Sequence, residues 1–367
     1  MLHGLFLDPR IWTIDYLSSP FWNPEKHGVS IDLHPNAFNI PKTGIDPKYD
    51  FVIATEVWEI LMQKTLNYLR AKGLPVFLVP REILPTEAYK GQMFNYEKFK
   101  YKDNYYFEPD MLLAISQQYL DLWKGHVKSG AVIGYPRFDI YISKDKMLSR
   151  ESIFKKYKLD KNKKVIFFPS FPPYHIQTVN NKSVTVDLYD DLQNIMRALE
   201  EFVNSKEDVQ VIVKIHPMAQ KCYNKGTGNG KEVAGLLKKY YKAPTDKIKV
   251  IGDERNNGII SKELLVISDT VIAFTSVMLL EAAHHNKSTI HLMFDQASDL
   301  KDLPSYSSSF YTVHNNQDLI QALGESLSSS KYIIDDHSVV EKYIYKIDGK
   351  FCYRLCDEIK RFMEKKK

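Results

Sequence analysis

The chain has 367 residues, 44% of them apolar, 13% aromatic and 26% charged, with a net charge of +5. That length exceeds one ordinary core and suits two domains, and the balance excludes a disordered or low-complexity chain. Three cysteines, Cys222, Cys352 and Cys356, form neither an even framework nor a C-x-x-C pair, which excludes a disulfide scaffold and a cysteine zinc site and points to a reduced, cytoplasmic protein.

The opening MLHGLFLDPRIW lacks a basic leader and carries Asp8 and Arg10, so it does not read as a signal peptide. No apolar run approaches the roughly 20 residues that cross a bilayer. Strand and helix signals then alternate: DFVIA (50–54), VWEILMQKTLNYLRAKG (57–73), PVFLVP (75–80), DMLLAIS (110–116), QQYLDLWKGH (117–126) and AVIG (131–134). Gly73 followed by Pro75 is a helix stop, and short βα connections predict a parallel sheet covered on both faces. Residues 1–148 are expected to form the first domain.

The basic, polar stretch 150–164 reads as a linker, and VIFFPSF (165–171) opens a second domain spanning 149–345. Its expected elements are a helix near 186–205, the strand VQVIVKIHP, a helix at 231–242, KIKVIGD (247–253), a helix at 260–268, VIAF (271–274), a further helix, and STIHLM (288–293). Residues 346–367 form a last segment, with a helix at about 349–365 whose Phe351, Leu355, Ile359 and Phe362 make an apolar stripe. Its end, with Lys360, Arg361, Lys365, Lys366 and Lys367, reads as a solvated helix terminus or as a contact to anionic lipid at the inner face of the membrane.

Three motifs carry chemistry. VIVKIHP (211–217) puts His216 and Pro217 at the carboxyl end of a buried strand, the end where open α/β sheets bind ligands. There a partly positive imidazole could neutralise charge on a departing phosphate, with Lys214 alternating onto the same face. DTVIAFTSVMLLEAA (269–283) is a strand running into Thr275 and Ser276 at a helix start, with Glu281 in the apolar helix. Free N–H groups and hydroxyls there suit an anion, although either residue could serve only as a cap. AVIGYPRFDIY (131–141) adds Arg137 and Asp139 after a Gly-x-Pro turn.

In this order and spacing GYPRFD, KIHP and FTSVxxxE resemble nucleotide-activated transferases of bacterial surface polysaccharides. The likeness covers roughly residues 50–360, including DGKFCYRLCDEI (348–359). Similar proteins are the CDP-glycerol glycerophosphotransferases and the capsule or surface-carbohydrate glycosyltransferases. The resemblance implies the GT-B architecture, two Rossmann-like parallel-sheet domains facing a cleft, with the last helix crossing back to the first. It implies a metal-independent cytoplasmic transferase with no cofactor, taking a CMP-, CDP- or UDP-linked sugar to a glycan or glycolipid acceptor. The alternatives are a polyol-phosphate transferase and a nucleotide-sugar 2-epimerase. Donor contacts fall on Ser170, Lys214, His216, Pro217, Thr275, Ser276 and Glu281, the last on the ribose hydroxyls. Arg137 and Asp139 brace the domain junction or touch phosphate.

Glu82, after PVFLVP, is the candidate general base, with Glu56 and Asp110 as substitutes. Here the sequence departs from the resemblance. PREIL lacks the second acid and glycine of CMP-sugar enzymes, and YKGQMF lacks the histidine of the glycerophosphotransferases. The aromatic stretch 89–107 suits carbohydrate stacking or plain packing better than nucleic acid. GTGNGK (226–231) fails the phosphate-loop spacing, and His284, His285 and His291 lack the spacing of a metal site.

Overall fold

The computed structural model describes residues 1–7, 19–34, 37–55, 60–80, 108–125, 127–143, 147–172, 174–179, 182–216, 247–252, 259–299 and 308–366. They divide into two compact units: the first takes the described residues up to Met147 and the stretch from Glu341 onward, the second Leu148–Val340.

The first unit is a six-stranded sheet of β1 (Leu2–Leu7), β2 (Val29–His34), β3 (Phe51–Ala54), β4 (Val76–Leu78), β5 (Met111–Ala114) and β6 (Gly130–Val132). The strands run parallel in the order β2-β1-β3-β4-β5-β6. Every residue of β3, β4 and β5 is buried, the uninterrupted apolar pattern of a sheet covered on both faces. Strands β1 and β2 precede the first strand the sequence pattern marks. In β1 Gly4 stands in register with Phe51, and a Cβ at Gly4 would collide with the Phe51 ring. Helix α1 (Ile60–Ala71) buries Met62, Leu66 and Leu69, and α2 (Gln117–Leu122) is capped by the Ser116 hydroxyl, which accepts from Tyr119 N.

The second unit repeats the plan with β7 (Lys164–Pro169), β10 (Val209–Lys214), β11 (Ile248–Ile251), β12 (Thr270–Ala273), β13 (Ser288–Leu292) and β14 (Tyr311–Val313). These are parallel in the order β11-β10-β7-β12-β13-β14. Between β7 and β10 the chain inserts an antiparallel hairpin, β8 (Tyr174–Val179) with β9 (Lys182–Asp187), which the sequence reading does not anticipate. The expected linker is a correction. Its first half is helix α3 (Arg150–Tyr157), capped by Ser149, and it buries Ile153, Phe154 and Tyr157. Lys156 Nζ and Tyr157 OH donate to Glu263 Oε2 at 2.7 and 2.5 Å, and Arg150 donates to Ile267 O at 3.2 Å. Glu263 and Ile267 belong to α5 (Ile259–Ile267), which follows α4 (Tyr189–Asn204). After β12 come α6 (Val277–His284), α7 (Asn316–Ser326) and α8 (Ser338–Ile344).

The last helix, α9 (Phe351–Lys366), returns to the first unit. Phe351, Leu355 and Ile359 are buried. Phe362 meets the Phe77 ring edge-on at 5.1 Å, and Trp22 stacks on Phe351. Arg354 donates to Ile133 O at 2.8 Å and grips both oxygens of Asp348 at 2.9 and 3.0 Å. In the basic end, Arg361 pairs with Asp357 and Glu358, and Lys366 Nζ donates to Gly73 O. Among the described residues no helix is long and apolar enough to cross a membrane.

Because Leu355 is fully buried, Leu355→Ala should cost about 2–5 kcal/mol in urea unfolding. A loss below about 1 kcal/mol would show that α9 is not part of the first unit's core.

Candidate functional site

In the second sheet the chain runs from β7 out through β10 to β11, then crosses back to β12 on the other side of β7. Strand order therefore reverses between β7 and β12, and ligands of open α/β sheets bind at the carboxyl ends beside such a reversal. Three adjacent strands end there with polar residues: β10 leads to His216, β7 to Ser170, and β12 to Thr275 and Ser276. Neighbouring strands lie roughly 4.8 Å apart, so the three ends span about 10 Å.

Ser170 fastens two of these ends together. Its N–H donates to Lys214 O at 2.8 Å, extending the β7–β10 ladder, and its hydroxyl accepts from His216 N at 3.1 Å. Beneath lies an aromatic floor in which Phe171 packs on His216 and on Phe274, and Phe274 on Phe168. Burial in this floor, followed by the charge of Lys214, lowers the His216 imidazole to about 4. With no ligand bound, His216 is therefore neutral at ordinary pH. Lys214 is itself buried, with Nζ donating to Ile215 O at 3.4 Å.

On the other side of β7, the Ser276 hydroxyl accepts from Met278 N at 3.3 Å and caps α6, leaving its own O–H to point elsewhere. Thr275 keeps 8% of its surface exposed and its hydroxyl lies 3.0 Å from His291 Nε2. His291 Nδ1 in turn lies 3.2 Å from Thr312 Oγ1. Strand register explains the row, since Ala273 pairs with His291 and His291 with Thr312. His291, set aside as a non-metal histidine in the sequence, is thus the partner of a site hydroxyl. Its signal was a polar side chain between the apolar Ile290 and Leu292 of a buried strand, where it must find a partner. Burial lowers His291 to about 4 as well.

Glu281 lies within α6, one turn into the helix that Ser276 caps, and is buried. Lys287, just after this helix, donates to Val266 O at 3.1 Å. Arg137 and Asp139 belong to the first unit, in the 3-10 segment Pro136–Ile142 after β6. Asp139 is buried and accepts from Ser19 Oγ at 3.1 Å. Burial pushes its carboxyl up to about 6, against the Ser19 hydroxyl and the Gly349 N–H, which hold it down. Its bonds brace the first unit. Asp110, a substitute base, precedes β5 at the amino end of the sheet and accepts from Val76 N and Arg70, the wrong end for that role. Glu82, Glu56, Pro217, the stretch 89–107 and the loop 226–231 lie outside the described residues.

No protein-family model matches the sequence, and no curated protein matches it either. Solved structures do. S. aureus MnaA, in a co-structure with UDP, is 15% identical over 99% of this chain and 97% of its own, with a TM-score of 0.57. The wall teichoic acid polymerase TagF is 14% identical over 99% and 89%, with a TM-score of 0.54. The UDP-GlcNAc 2-epimerase of Neisseria meningitidis, bound to UDP-GlcNAc, is 12% identical over 98% and 99%, with a TM-score of 0.55. At these identities the likeness establishes the fold: the chain has the GT-B fold, with two Rossmann-like parallel sheets.

The buried histidines set an acid limit. Below about pH 6.5 the unfolded chain takes up protons that His216 and His291 refuse until about pH 4. Their stabilisation is therefore present above pH 6.5 and lost as the pH falls, at up to about 1.4 kcal/mol per pH unit per group; Asp139 works in the opposite sense. His216→Gln should make the loss of urea-unfolding stability between pH 7 and 5 shallower by about 0.9 kcal/mol per pH unit. An unchanged slope would mean that His216 titrates normally.

Proposed function

We propose that the chain is a glycosyltransferase that moves a sugar from a nucleotide-activated donor, CMP-, CDP- or UDP-linked, to a cell-surface polysaccharide or glycolipid acceptor. One observation carries the reading: His216, Ser170, Thr275 and Ser276 end three adjacent strands at the reversal point of the second sheet. A site about 10 Å across, with one helix N-terminus and several hydroxyls, fits a nucleotide's phosphates and ribose. The structural likeness to a protein solved with UDP and to a teichoic acid polymerase agrees with it.

In this reading the acceptor hydroxyl attacks the donor's anomeric carbon and the nucleotide leaves as a phosphate. His216 meets the leaving oxygens as a neutral hydrogen-bond donor, and the buried Lys214 supplies positive charge behind it. The Ser276 hydroxyl and the Val277 N–H, at the start of α6, hold a second phosphate oxygen. Acceptor binding falls to the first unit and the proton of the acceptor to Glu82. No metal is assigned a part, and contact with an anionic membrane through the basic C-terminus belongs to the same reading.

A second reading, a nucleotide-sugar 2-epimerase, is favoured by one observation: the Neisseria epimerase matches over 99% of its length. Turnover separates the two. A transferase consumes donor only with acceptor present, whereas an epimerase converts it alone.

A thermal-shift panel of CMP, CDP, UDP, GDP and their sugar or glycerol conjugates tests the donor site. A ligand at 100 times its dissociation constant should add about 2.7 kcal/mol of stability, and His216→Ala should remove much of it. If no nucleotide raises the melting temperature, the reading fails.

An anion beside His216 must raise its pKa from about 4, so binding takes up a proton. A diphosphate-linked sugar, which does not itself titrate between pH 5 and 8, should bind more tightly as pH falls across that range. With His216→Gln the affinity should be flat, and a flat wild-type profile would mean that bound anion does not lift the His216 pKa above about 5.

A further inference from the structure

We infer that the row Thr275–His291–Thr312 fixes Thr275 as a hydrogen-bond acceptor, so that it receives a sugar-ring hydroxyl of the bound nucleotide and not a phosphate. The inference rests on the donor-site reading and assigns one of its contacts.

The argument is a count of hydrogens. Thr312 Oγ1 lies 3.2 Å from Phe310 O, a carbonyl that can only accept, so the Thr312 proton goes there. Thr312 Oγ1 must then accept from His291, which puts the imidazole proton on Nδ1. Nε2, left with its lone pair, accepts from the Thr275 hydroxyl at 3.0 Å. With its proton turned inward, Thr275 shows a ligand only lone pairs. The reverse arrangement, Thr312 donating to Nδ1 and Nε2–H donating to Thr275, forsakes Phe310 O and makes two hydrogen bonds where the first makes three. A phosphate at Thr275 would require that reversal, and a hydroxyl would not. His291 is only 1% exposed, and burial keeps its ring neutral, so protonation does not supply the missing donor.

Ser276 is the complement. Its oxygen already accepts from Met278 N, so its proton is the one available to a phosphate. Two consecutive hydroxyls therefore have opposite polarity: Thr275 accepts from the sugar ring and Ser276 donates to the phosphate. His291 and Thr312 are positioning residues that act through Thr275.

The hydroxyl can come from the nucleotide's ribose or from the transferred sugar, and the probes separate the two. Binding would be measured for the nucleoside diphosphate that stabilises the protein, its 2′-deoxy and 3′-deoxy forms, its sugar conjugate with and without single sugar hydroxyls, and inorganic pyrophosphate. One deoxy probe should bind about threefold to tenfold more weakly than its parent. Thr275→Val should abolish that difference and leave pyrophosphate affinity unchanged. Thr312→Val should also abolish it, and should strengthen pyrophosphate, because Nδ1 loses its acceptor and the tautomer reverses; damaged packing would weaken all probes alike. Nitrogen-15 NMR of His291 in the wild-type full chain tests the relay with no ligand and no variant: Nδ1 should carry the proton. A proton on Nε2, or deoxy probes that bind as tightly as their parents, overturns the inference while nucleotide binding stands. Absence of binding by every nucleotide overturns the donor-site reading and the ligand assignment with it.

Discussion

A parallel sheet leaves backbone groups without partners where its strands stop, and the second unit is organised around satisfying them at the carboxyl edge. Ser170 does this twice, its N–H on Lys214 O and its hydroxyl under His216 N. A buried peptide group without a partner costs free energy comparable to a lost hydrogen bond. The clasp therefore holds β7 and β10 in register one residue past the end of the ladder, and the position of the imidazole follows from it. The aromatic floor of Phe168, Phe171 and Phe274 is the apolar counterpart, and it makes the imidazole neutral.

Position and polarity of the site groups thus have separate origins. Topology brings the ends of β10, β7 and β12 side by side. What each end can do is set by groups one strand further out: His291 and Thr312, on β13 and β14, determine where the proton of Thr275 lies.

The strands buried on both faces were legible because of their apolar runs, as in FVIA and VIV. Strands β1 and β2 were not: LHGLFL is interrupted by His3 and Gly4, and VSIDLH by Ser30 and Asp32. The hairpin escaped because its strands, YHIQTV and KSVTVD, are rich in polar residues, and Val184 is left exposed. The basic 150–164 stretch looked like a linker because its charges outnumber Ile153, Phe154 and Tyr157, yet those three dock α3. Within the site, His216, Thr275 and Ser276 were readable from their places after strands. Burial was not, and the fold encloses both Asp139 and Glu281.

The return of α9 to the first unit makes the second unit a long insertion within the first. On a ribosome, the residues that complete the first core are made only after the whole of the second unit. Leu148–Val340 is finished and can fold while the first sheet, with Phe77 on a face that Phe362 will cover, still waits for its closing helix. Nascent chains halted before Phe351 would therefore carry a folded second unit and a first sheet whose apolar face is still uncovered.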